Sequence, residues 1–196
     1  MAAESKIDAG PIPAFLPNGL LPAERQGNHR HQVGRDTSPY VCNPVDLVGR
    51  YGTSEHRITL LRQFFEWRAA IYERGFTQGM HILGGSFVDD CERTYGRPPS
   101  DIDALTILGS VPRMESSAFK ALAMELHKDV GLRAFGVDAR VTSPAYEPVL
   151  RSCSKIAGSV QLLSRDRWGR QRGMLLLPFF PNKDAAAAAS LGTATN

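Results

Sequence analysis

No hydrophobic run in this chain of 196 residues approaches the ~20 apolar residues that a bilayer-spanning helix needs. The most apolar stretch, "MLLLPFF" from Met174 to Phe180, has the length of a buried strand. The first residues, "MAAESKIDAGPIPAF", lack a basic segment followed by an apolar one. No secretory signal is therefore expected, the expected compartment is the cytoplasm, and no membrane partner is expected. Cysteine is scarce. Cys42, Cys91 and Cys153 stand far apart and form no CxxC pair, which argues against a disulfide framework and against a thiolate zinc site. A strong charge of either sign is also missing: a net charge of +3 is compatible with a nucleotide or nucleic-acid partner and does not demand one.

What is present is enough apolar material for a real core, at 42% of residues. Composition divides the chain in three. Residues 1–50 are rich in Pro, Gly, Asn and Arg and read as an extended N-terminal arm, anchored by Phe15, Leu16, Leu20 and Leu21. Within the arm, His29 and His31 form an i, i+2 pair; without nearby Cys or acidic ligands a solvated loop is the favoured reading over a metal site. Residues 51–182 carry the periodic elements, and residues 183–196, mostly "DAAAAASLGTATN", read as a disordered tail.

The clearest helix is Thr53 to Gly75, with Thr53 or Ser54 as its cap and Gly75 as its stop. Its aromatic residues Phe64, Phe65 and Trp67 read as core rather than as a base-stacking surface. "MHILGG" and "DIDALTIL" read as strands, Glu115 to Val130 as one amphipathic helix, and Phe135 to Pro144 as a third strand. A third helix begins near Pro148, and "DRWGRQRGMLLLPF" reads as a basic turn feeding a last strand. His81 reads as structural. The order predicts an α+β (α/β) domain, a small mixed β-sheet with helices packed on it.

The chemistry concentrates between Gly84 and Asp103. Strand side chains alternate faces, so Asp101 and Asp103 point the same way while Ile102 enters the core. Two adjacent carboxylates repel unless a cation joins them, and hard oxygen ligands favour Mg²⁺ or Mn²⁺. Asp138, a lone acid in an apolar strand, is the candidate third ligand; the competing reading is an exposed acid or a salt bridge with Arg140. Gly84, Gly85 and Ser86 let backbone N–H groups and a hydroxyl approach a phosphate. Arg170 and Arg172, in the basic turn around Trp168, are candidate triphosphate-binding residues, with acceptor RNA a second use for the turn and a solvated hairpin the competing reading. Arg151 and Lys155 read as a solvated helix face.

Gly85-Ser86 followed by Asp101-Ile102-Asp103 between apolar strand residues resembles the signature of the polymerase-beta-type nucleotidyltransferase superfamily. With "FLPNGLLPAE", "GRYGTSEHR", "LGGSFV" and "SRDRWGRQRG", residues 11–180 resemble a bacterial nucleotidyltransferase-like family. The resemblance implies a polymerase-beta-like nucleotidyltransferase fold, Mg²⁺ held by Asp101 and Asp103, and the triphosphate of an NTP touching Gly85 and Ser86. It implies an enzyme that moves a nucleoside monophosphate to a hydroxyl acceptor, RNA or other nucleic acid being favoured. It also implies toxin–antitoxin or antiviral defence, with a neighbouring-gene product as a possible partner. Antitoxin-type members carry an arginine shortly after the GS pair; here Phe87-Val88 and Asp89-Asp90 follow. The alternatives are a non-catalytic nucleotide- or partner-binding module of the same fold, and an enzyme that AMPylates a partner protein.

Overall fold

β-branched and leucine-rich segments alternate with helical ones along the chain, and the sheet they build is mixed. In the computed structural model, residues 12–25, 34–111, 114–126 and 128–193 are described. His29 and His31 lie outside the described residues. Five strands are described: β1 (Tyr40–Val41), β2 (Gly79–Gly84), β3 (Ile102–Leu108), β4 (Val137–Thr142) and β5 (Leu175–Pro178), in the spatial order β1-β5-β2-β3-β4. β2 runs antiparallel to both β3 and β5, while β3 and β4 run parallel, as do β1 and β5. The α+β class expected from the sequence is the class observed.

The two faces of the sheet are covered unequally. On one face lie α1 (Pro44–Tyr51), α2 (Glu55–Glu73) and α7 (Pro181–Thr193), over a large core that includes Leu61, Phe64, Trp67, Leu83, Ala104, Val137 and Leu177. Phe64, Phe65 and Trp67 are buried there, and His81 sits among them, its Nδ1 3.0 Å from the Thr106 hydroxyl. Burial, helped by Arg68 nearby, holds the His81 pKa well below the usual imidazole value, so it is a neutral core residue. The opposite face carries α6 (Val149–Leu163) over a small cluster of Ile82, Leu105, Leu163 and Met174. One helix cannot roof five strands, and the uncovered part of that face is where polar side chains can stand.

α2 starts at the Ser54 cap, whose hydroxyl accepts from Arg57 N–H, and stops where Gly75 takes φ +89°. Three boundaries differ from expectation. The arm does not end at residue 50. Tyr40 and Val41 pair with β5, and α1 follows at once, begun by a capping box between Asn43 and Asp46 with Pro44 in the first turn. The helix expected over residues 115–130 is two, α4 (Ser116–Glu125) and α5 (Lys128–Phe135). α5 lies so close to β4 that a Cβ on Gly131 would come within 3.0 Å of the Val137 carbonyl, so the chain turns to reach it. The tail expected to be disordered is helical through Thr193. Alanine favours the helix, Ala187 and Leu191 are buried, and Arg68 of α2 grips Asp184 at 2.7 Å. Of the four arm anchors, Leu20 and Leu21 are buried and Phe15 packs on the core, while Leu16 is half-buried and is not among the residues packed on that core.

Candidate functional site

Asp103 of β3 and Asp138 of β4 are register partners across the parallel pair, so their side chains rise from the same face of the sheet. That face is the sparsely covered one. Asp101 stands two residues earlier, just before β3 begins, and its charge acts directly on Asp103. Gly85, Asp103, Asp138, Arg140, Arg165 and Arg172 share the wall of a cavity of about 210 Å³. Among the described residues Gly84, Ser86, Asp101 and Arg170 are not part of that wall.

The two glycines have distinct geometric duties. Gly85 adopts φ +67°, and a Cβ there would lie 1.7 Å from Asp103 Oδ2, so only glycine lets the Asp103 carboxylate occupy its position. Gly84 is opposite Asp103 in the β2–β3 ladder, and a Cβ on it would strike Leu163 at 2.6 Å. It permits α6 to close on the strand end. Ser86 begins a single 3-10 turn, Ser86–Val88, one turn ahead of the short helix that opens at Cys91.

Burial raises the Asp103 pKa from 3.8 to about 6, with the charges of Asp101 and then Asp138 acting in the same direction, while Arg172 and Arg140 oppose it. The carboxylate is short of positive charge. The cations nearby are committed elsewhere or exposed. Arg172 is buried and gives Nη1 to Asp89 at 2.7 Å and Nη2 to the Arg165 carbonyl at 2.8 Å. Its Nε is buried with no hydrogen-bond partner. A buried donor without a partner is uncommon and leaves a hydrogen-bonding capacity unused beside the cavity. Arg140 is exposed on β4, two residues beyond Asp138.

The segment after Ser86 is clamped. Asp89 Oδ1 accepts from the Leu21 backbone N–H at 3.0 Å, and Oδ2 accepts from Arg172 and, at 3.4 Å, from the Tyr95 hydroxyl. Burial raises the Asp89 pKa, with Arg172 pulling the other way. From the other side, buried Arg57 of α2 donates to the carbonyls of Phe87 and Asp89, both at 2.8 Å, and pairs with Glu92. The arm, the glycine turn, α2 and the basic turn thus meet at one loop.

The structure brings Asp103, Asp138, Gly85 and Arg172 together, with Asp101 adjacent in chain. It does not bring Arg170: that side chain pairs with Asp166 at 2.6 Å and stiffens its own turn. Lys155 pairs with Glu147, with Arg151 at 4.0 Å from the same carboxylate, so neither faces the carboxylate pair. Sequence reasoning missed Arg57 and Asp89; Arg165 belonged to the basic segment it read as gripping phosphate or RNA, and Arg140 it read only as a salt-bridge partner for Asp138. Asp89 followed the glycine motif directly and was legible as a charge at that position. Arg57 lay in a quoted segment, yet its partners are 30 to 35 residues away.

Among the described residues no group of three or more His, Cys, Asp and Glu stands close enough together to hold a metal ion. The donors present still suit Mg²⁺ or Mn²⁺ in kind. They are hard carboxylate oxygens, and Mg²⁺ is commonly held by one or two carboxylates completed by water and substrate phosphates. The repulsion stored at Asp103 is what such a cation relieves. No helix among the described residues is long and apolar enough to cross a membrane. The family of unknown function DUF6932 matches residues 13–178. No curated protein and no solved structure matches the chain.

Proposed function

The chain belongs to the family of unknown function DUF6932, and we propose that it is a metal-dependent nucleotidyltransferase with a polymerase-beta-like catalytic sheet. The observation that carries the reading is the register pairing of Asp103 with Asp138 beside the Gly85 turn, on the open face of the sheet. Asp101, Asp103 and Asp138 would hold Mg²⁺ or Mn²⁺, which when bound neutralises triphosphate charge and polarises the α-phosphorus. The backbone at Gly85 and the Ser86 hydroxyl would hold the triphosphate, with the partnerless Nε of Arg172 as a further donor. Asp138 would take the proton of the acceptor hydroxyl. The acceptor oxygen forms a bond to the α-phosphorus, the bond to the β-phosphate oxygen breaks, and pyrophosphate carries away the electron pair. The acceptor favoured is RNA or another nucleic acid, with a partner-protein hydroxyl as the alternative, in a cytoplasmic defence or toxin–antitoxin setting.

The test is incubation of the protein with each labelled NTP, Mg²⁺ or Mn²⁺, total RNA and the co-expressed product of the neighbouring gene. Label is expected in one acceptor and is expected to vanish with Asp103→Asn and with Asp138→Asn. Label in no acceptor, under conditions where a known nucleotidyltransferase works, overturns the reading. A second reading, a binding module of the same fold without turnover, is favoured by the absence of a closed three-acid group among the described residues. It predicts saturable NTP binding with no transfer.

A further inference from the structure

Outside the cavity, one surface feature stands out. Trp168 is 60% exposed, while the other tryptophan, Trp67, is fully buried. A single exposed apolar side chain is ordinary; what distinguishes this one is that its setting is built. The turn that carries Trp168 is closed by a bridge between Arg165 and Gln171 and tipped by Gly169 at φ +77°. The buried Asp166 carboxylate accepts from the backbone N–H groups of Trp168 and Arg170 and from Arg170 Nε. The indole is stacked on Tyr95, with ring centroids 5.3 Å apart and planes 29° from parallel. Arg167 lies 5.4 Å from both ring centroids, and Arg170 lies 4.9 Å from that of Trp168. A rigid aromatic pair flanked by guanidinium groups matches the chemistry of unpaired bases joined by phosphates.

The feature is wired to the cavity. The Tyr95 hydroxyl and Arg172 Nη1 share one Asp89 oxygen, and Arg172 and Arg165 line the wall beside Asp103 and Asp138. We propose that the Tyr95–Trp168 stack, with Arg167 and Arg170, is a docking platform for a single-stranded nucleic acid, seating bases of the strand outside the cavity. The platform deepens the nucleotidyltransferase reading by naming the acceptor class, and it rests on that reading only for the direction in which the strand points. A base stacks beside the indole, and the arginines meet the phosphates on either side of it.

Binding is measured in EDTA without NTP, so transfer activity does not enter. Intact protein is titrated with an oligouridylate and an oligodeoxythymidylate of about ten nucleotides. Saturable quenching of tryptophan emission is expected, because the exposed indole is the one a base can reach. Trp168→Leu is expected to remove the quench and weaken binding about tenfold or more, as the loss of one base–aromatic stack does. Arg167→Ala is expected to lower the dependence of log affinity on log salt by about one. Inorganic polyphosphate, which has charge and no bases, is expected to bind without quenching. Tighter binding of the RNA strand assigns the acceptor as RNA, and equal binding leaves the platform reading bases alone. Undiminished oligonucleotide affinity in Trp168→Leu, whose folding is checked by its thermal midpoint, overturns the platform; so does duplex binding as tight as single-strand binding. A protein that binds the strand yet transfers nothing retains the platform and loses the nucleotidyltransferase reading. One that labels a protein acceptor and ignores oligonucleotides does the reverse.

Discussion

Asp89 and Asp103 flank the same glycine turn, and burial raises the pKa of both. They differ in what surrounds them. Asp89 is met by Arg172, by the Leu21 backbone N–H and by the Tyr95 hydroxyl, so its charge is answered and it ties three segments together. Asp103 is met by two further acids, Asp101 and Asp138, with Arg172 and Arg140 giving only partial relief. One carboxylate is a fastening. The other is a charge held in an unfavourable place, the signature the proposed metal role would account for. Burial alone does not separate the two roles; the sign of the neighbouring charge does.

The strongest way to break the comparison is to remove Asp89. Asp89→Ala leaves the Arg172 guanidinium buried and unanswered, and is expected to cost about 3–5 kcal/mol of stability. In a chain of this size that lowers the thermal midpoint by roughly 10 °C. Calorimetry or denaturant unfolding checks it. A loss of less than about 1 kcal/mol would mean that Asp89 fastens nothing.

Removing the other charge is expected to have the opposite sign. Asp103→Asn, in EDTA at pH 7, should stabilise the protein by about 2–3 kcal/mol, the cost of holding a carboxylate whose pKa is raised to about 6. The same change should abolish the proposed nucleotidyl transfer. If Asp103→Asn destabilises as Asp89→Ala does, the two carboxylates have the same role and the contrast is void.

The smallest effect is in pH. Folded Asp103 holds its proton more tightly than the unfolded chain, so the penalty is full above about pH 6 and is withdrawn as pH falls toward 3.8. Glu92 and Glu147, both lowered, work the other way at acid pH, so the wild type must be read against Asp103→Asn. Between pH 7 and pH 5 the wild type should gain about 1 kcal/mol relative to that variant. Added Mg²⁺ should shrink the difference if the carboxylates bind it.

The parts of this arrangement that are local in sequence were legible in it. The alternation of "DIDALTIL" put Asp103 on one face of a strand, and the placement of Asp138 in the next strand brought it to the same face; Asp101, expected on that face too, stands just before the strand begins. α2 was bounded to within two residues by its Ser54 cap and Gly75 stop. The capping box at Asn43 and Asp46 is equally local, an Asn and an Asp three residues apart around Pro44. What pattern does not carry is pairing at a distance. Arg172 and Asp89 are 83 residues apart, and Arg68 and Asp184 are 116 apart. Arg170 and Arg172 are two positions apart and equivalent as letters; the fold turns one into the cavity wall and the other onto Asp166. The polyalanine tail reads as disorder by composition, and what orders it is contact at a distance: Ala187 and Leu191 are buried and Asp184 meets the buried guanidinium of Arg68.

Helix α2 carries two such buried guanidiniums, about three turns apart. Arg57 secures the loop beyond the glycine turn, and Arg68 secures both α7 and the Pro178 carbonyl of β5. A rod bolted near both ends cannot slide along the sheet without opening charged contacts at each bolt. The face of the sheet that α2 covers is thereby fixed in register with both the glycine-turn loop and the C-terminal helix, while α6 on the opposite face has no buried guanidinium bolt of this kind among the described residues.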